Sequence, residues 1–154
     1  MTIRNYSFGG TAAVVTSMSL IVGFDAATAT KATMLAGLLI VAVADNLTDS
    51  LSIHVYQESE RLEARKAFHA TVTNFIVRLC LSLSFVGLVL MLPPATAVNV
   101  SVAWGVLLLV ALTCLVARDR KLKVLPEVLK HLSAAAAVML ASMTIGHFIA
   151  TWIE

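Results

Sequence analysis

Five apolar runs, each about as long as a bilayer is thick, set the limits on how this chain can fold. They fall at about residues 8–24, 33–54, 70–92, 98–117 and 132–153. A helical span needs roughly 20 apolar residues, so five spans use most of a 154-residue chain. No separate soluble domain fits beside them, and residues 1–154 read as one transmembrane domain. The runs are continuously apolar and do not alternate with period two, which selects helices over a barrel. The expected class is all-α, a polytopic membrane protein. A composition of 59% hydrophobic and 13% charged residues agrees.

Basic residues give the expected orientation. Arg4 precedes the first run, Arg61, Arg65 and Lys66 separate the second from the third, and Arg118, Arg120, Lys121, Lys123 and Lys130 separate the fourth from the fifth. These segments share one side, expected to be cytoplasmic, which puts the N-terminus inside and the C-terminus outside. The other side carries only Lys31. Ala27-Thr28-Ala29 offers a small-residue cleavage site after the first run. The lone Arg4 before that run, and Gly9 and Gly10 at its start, favour keeping it as a span. The net charge of +2 is explained by the cytoplasmic loops, with no nucleic-acid partner required. Cys80 and Cys114 lie in different runs, and neither a disulfide framework nor a zinc motif is signalled. The expected setting is a cytoplasmic (inner) membrane of prokaryotic type.

The second run closes on polar residues, ADNLTDSLSIHVYQESE over 44–60. Each aspartate at a span centre costs about 2.5–3.5 kcal/mol on an insertion scale, so an empty, lipid-facing arrangement is disfavoured. At 100° per residue, Asp49, Ser52 and Tyr56 return to within about 40° of Asp45. Asn46, Thr48, Ser50 and Gln57 flank that stripe, and Leu47, Leu51 and Val55 lie opposite, with His54 on their side. The polar stripe is expected to look into the bundle or an aqueous path. Asp45 and Asp49 are about 6 Å apart along the axis, close enough to share one cation, and oxygen ligands favour a hard or borderline divalent ion. Asn46, Ser52 and, from the first span, the thioether of Met18 are candidates to complete its shell.

Arg78 in the third span competes for the same carboxylates, with Asn74 one turn before it able to extend the pair into a polar network. One arginine does not neutralise two aspartates, and the surplus carboxylate is the argument for ion transport. Which aspartate pairs with Arg78 stays open. Glu58, Glu60 and Glu63 form a candidate cytosolic ion access, although Arg61, Arg65 and Lys66 interleave with them as in a self-paired, solvated helix extension. In the fifth span Ser133, Ala137 and Ala141, then Ser142, Gly146 and Ala150, recur at four-residue intervals that allow close helix contact, within the chain or between chains.

These residues also carry a family resemblance. The Gly-Gly start of GGTAAVVTSMSLIVGFDAA, its closing Gly23-Phe24 and alanines, the Ala36-Gly37-Leu38 start of span two, the polar ending Tyr56-Gln57-Glu58-Ser59-Glu60, and Thr144-Ile145-Gly146 are similar to motifs of the vacuolar iron transporter family. The resemblance implies five spans with the N-terminus inside, export of ferrous iron or manganese from the cytosol by proton exchange, and a homodimer. The chain departs from that pattern in three places. Gly9 stands where the family has a first-span aspartate, the methionine and glutamate of the family's second span are not matched in register, so that Asp45 and Asp49 would have to replace them, and only about a dozen polar residues stand in place of its cytoplasmic metal-binding domain. The leading expectation is a proton-coupled divalent cation transporter with the metal as substrate and no resident cofactor. The alternative is a non-transporting scaffold or regulatory subunit held by an Asp-Arg network. No Gly-x-Ser-Gly or Gly-x-Gly-Asp signature suggests an intramembrane enzyme.

Overall fold

The computed structural model describes residues 4–59 and 64–152. They form five helices: α1 (Arg4–Ala26), α2 (Lys31–Ser59), α3 (Ala64–Met91), α4 (Pro94–Asp119) and α5 (Val124–Trp152). All five are long and apolar enough to cross a membrane. The apolar runs therefore all became helices, and the helices extend beyond them. α5 starts at Val124, about two turns before the run expected at 132, because Pro126 sits in the first turn, where its missing N–H is not needed. Pro94 likewise opens α4, with Pro93 as N-cap in an extended conformation.

Among the described residues, short connections join α1 to α2, α3 to α4 and α4 to α5. α1 and α4 end in the same way, with a left-handed residue, Thr28 or Lys121, each at φ 55°. The next N–H reaches back to close the helix end, from Ala29 to Phe24 O at 2.9 Å and from Leu122 to Ala117 O at 2.8 Å. Thr30 then caps α2 by accepting from the Thr33 N–H at 3.2 Å. Lys31, the one exception to the charge bias, donates to the carbonyls of Leu90 at 2.8 Å and Leu92 at 3.0 Å. It caps the C-terminus of α3, where a cation is favoured by the helix dipole.

α1 is the axis of the bundle and packs against all four other helices, most extensively α5. α2 leans chiefly on α3, α3 meets α4, and α4 meets α5, while α2 and α5 share no substantial interface. Close approach rests on small residues. The buried line of α4 is Ala97, Ser101, Gly105, Leu109, Thr113 and Ala117, one residue per turn, and Gly105 is where Met18 of α1 seats its thioether. At the far end Gly146 of α5 lies against the Gly23 carbonyl of α1. Outward-facing residues are largely apolar, including Leu47, Leu51, Ile76, Leu107, Leu140 and Phe148, the surface a bilayer would cover.

Candidate functional site

The site forms where α2 meets α3, at about mid-length of both helices. Arg78 is 2% exposed, one of the largest fully buried side chains of the protein. Its Nη2 donates to Asp45 Oδ2 at 2.7 Å, its Nη1 pairs with Asp49 Oδ2, and its Nε donates to Asn46 Oδ1 at 2.7 Å. The planar guanidinium, with donors on separate edges, is suited to hold three acceptors at once. Asn46 is itself fixed, its Nδ2 donating to the Ala42 carbonyl one turn back. The sequence left open which aspartate Arg78 takes. It takes both.

The orientation of α2 differs from the expected one. Its buried line is Met34, Leu38, Ala42, Asn46 and Ser50, at four-residue steps. Asp45 and Asp49 stand on the flank of that line, their side chains 43% exposed, and reach sideways to Arg78. The stripe centred on Asp45 is thus not the bundle-facing side. Ser52 is exposed and donates to the Thr48 carbonyl at 3.0 Å, and Tyr56 is 65% exposed. His54 was expected to share the side of Leu47 and Leu51. It is half-buried, in register with Asn46 and Ser50, whereas those leucines are exposed.

Two other expected members stand apart from the carboxylates. Gly9 of α1 abuts Arg78 and Asn74, and Met18 is nine residues further along, about 13 Å by helical rise. Met18 is fully buried against Gly105, a packing residue. Asn74 is 2% exposed but does not extend the Arg78 network: neither its Oδ1 nor its Nδ2 has a hydrogen-bond partner. Glu58 lies in the last turn of α2 with its side chain outside the described residues, and Glu60 and Glu63 fall outside them altogether. Ser142 and Gly146 of the second small-residue set pack on Gly23 of α1 within the chain, whereas Ser133, Ala137 and Ala141 of the first set are exposed.

Three charges, two negative and one positive, leave one negative charge at the middle of the α2–α3 pair. The acceptors that Arg78 gathers are all oxygen: two carboxylates and the Asn46 amide oxygen. Among the described residues no three His, Cys, Asp or Glu side chains converge as a metal cage, so a cation bound here would displace or share Arg78. Sequence reasoning missed Gly9, whose lack of a Cβ lets α1 approach Asn74 and Arg78. The Gly9-Gly10 pair is the signal that could have marked a close approach, though not to which helix.

Fold and site together define a bundle of five helices, each long and apolar enough to cross a membrane, with a buried arginine shared by two half-exposed aspartates. No protein-family model, curated protein or solved structure matches the chain.

Proposed function

We propose that the protein is a membrane cation transporter in which Asp45 and Asp49 receive a divalent ion and Arg78 holds the pair when the ion is absent. The observation that carries this reading is the shared guanidinium: two carboxylates one turn apart, half-exposed, with one positive charge between them. Ionisable groups at mid-span are costly and line ion or proton pathways when they occur. Here the cost is met only in part, and the surplus negative charge is what a cation would find. The ion is of the manganese or ferrous iron class and moves from the cytosol in exchange for protons, as the resemblance to the vacuolar iron transporters implies. The oxygen-only donors favour manganese over iron, since Met18 packs elsewhere.

On this reading the end at which α2 and α4 finish and α3 and α5 begin, rich in lysine and arginine, faces the cytoplasm. The exposed Ser133, Ala137 and Ala141 line of α5 is the contact for a second copy in a homodimer.

Manganese flux into proteoliposomes tests the reading. The wild type should accumulate the ion, and an Asp45→Ala, Asp49→Ala double variant should not. A second reading is favoured by the same bonds: Arg78, satisfied by Asp45, Asp49 and Asn46 without any ion, would serve only to fix α2 against α3 in a scaffold or regulatory subunit. That protein would show no flux, and its melting temperature would not respond to manganese.

A further inference from the structure

One turn toward the basic end from the Arg78 clamp, three helices meet around polar atoms that have nothing to bond. The bond from Arg78 Nε to Asn46 Oδ1 fixes the antiparallel register of α2 and α3. Four residues on along α2 and four back along α3, about 6 Å of helical rise on each, put Ser50 and Asn74 at about the same level of the pair. Ser50 is 5% and Asn74 2% exposed. Ser50 Oγ, Asn74 Oδ1 and Asn74 Nδ2 all lack a hydrogen-bond partner. Gly9 of α1 closes the third side: a Cβ there would collide with Asn74 Oδ1 and stand 2.9 Å from Arg78 Cδ. Buried polar atoms are paired in most proteins, because leaving one bare costs about 1–3 kcal/mol. Three at one level mark a place that something polar fills.

We infer that this junction binds a monovalent alkali cation, held by Ser50 Oγ, Asn74 Oδ1 and the Asp49 carboxylate. Charge is compatible with a single positive charge here: Asp45, Asp49 and Arg78 sum to one negative charge, which a monovalent ion cancels while Arg78 keeps both carboxylates. Donor chemistry selects the type, since hydroxyl, amide and carboxylate oxygens suit hard cations. Arg78 engages Oδ2 of Asp49, which leaves Oδ1 on the same carboxylate for the ion or for the Asn74 N–H. The ion and the proposed divalent substrate would then draw on one carboxylate, so this site supplies a co-ion to the transport reading, although its occupancy does not depend on transport.

The test is thermal unfolding of the purified full-length protein in detergent, from about 1 to about 300 mM NaCl, with choline chloride holding ionic strength constant. The wild type should gain about 3 °C with sodium. Ser50→Ala, which removes one ligand oxygen with little change of shape, should lose most of that gain, as should Asn74→Ala. Equal melting temperatures in sodium and choline would overturn the inference, because a buried water satisfies the same atoms without sodium dependence. A full sodium response in Ser50→Ala would overturn it too. Manganese titration in choline is read separately: a response to manganese without one to sodium removes the alkali site alone, and the reverse removes the divalent reading alone.

Discussion

If Arg78 is shared by both aspartates, the energetics of the three charges must be strongly non-additive. Replacing Asp45 by Asn leaves the guanidinium with Asp49 and Asn46, and replacing Asp49 leaves it with Asp45 and Asn46. Because each carboxylate is 43% exposed and screened on that side, either single change should cost only about 1 kcal/mol. The double variant Asp45→Asn, Asp49→Asn is different in kind, since a guanidinium that is 2% exposed keeps no counter-charge. Breaking a buried pair from one side costs about 3–5 kcal/mol, so the double change should exceed the sum of the singles by about 1–3 kcal/mol. Adding Arg78→Met to that double variant should bring stability back to within about 1 kcal/mol of the wild type, as apolar replacement of buried ion pairs does elsewhere. Unfolding in mixed detergent micelles, analysed as a double-mutant cycle, gives each quantity. Additive single and double variants, or a triple variant no better than the double, would refute the shared clamp.

Two backbone positions give simpler outcomes. Thr28 is β-branched yet held at φ 55°, a conformation that Gly adopts without penalty; Thr28→Gly should raise stability by about 1 kcal/mol, and a lowered melting temperature would contradict the strained turn. At Gly146 a Cβ would press on the Gly23 carbonyl and stand 3.0 Å from both Ala26 Cβ and Ala27 N, so Gly146→Leu should cost about 3 kcal/mol by parting α1 from α5. Gly87→Ala, with nothing within 4 Å of the added methyl, should be neutral or slightly stabilising in the same assay.

What the sequence disclosed follows the range of each signal. A run of 20 apolar residues announces a helix whatever it packs against, so all five were legible and only their polar ends were not. The α5 start at Val124 was hidden by Pro126 and Lys130, which read as loop residues but are tolerated in the first turns. The helical wheel found that Asp45 and Asp49 share a face, a local property. It could not tell that the uncharged Asn46 and Ser50 are the ones turned inward, because that depends on how closely α3 approaches. Four-residue spacing of small residues carries information of that kind, plainest in Ala97, Ser101, Gly105 and Thr113 of α4. Lys31 was counted only as a charge on the wrong side, and its role at the α3 carbonyls required a partner 59 residues away.

The packing of α2 ties the site to a possible motion. α2 rests mainly on α3, has a smaller interface with α1, and has no substantial neighbour on the side of α5. At mid-length its polar attachment to α3 is the set of bonds from Arg78 to Asp45, Asn46 and Asp49. On the transport reading, a cation that takes the carboxylates must draw them from Arg78, and in doing so it loosens the helix that carries them. Ion binding and helix release would then be one event, paid from the same electrostatic interaction, and a variant that cannot release, such as one with α2 and α3 cross-linked beside the clamp, should bind the ion weakly and fail to move it. The scaffold reading demands the opposite: a cross-link there should only add stability. Introducing cysteines at exposed positions flanking the clamp, with Cys80 and Cys114 replaced, and measuring manganese flux before and after oxidation separates these outcomes within one preparation.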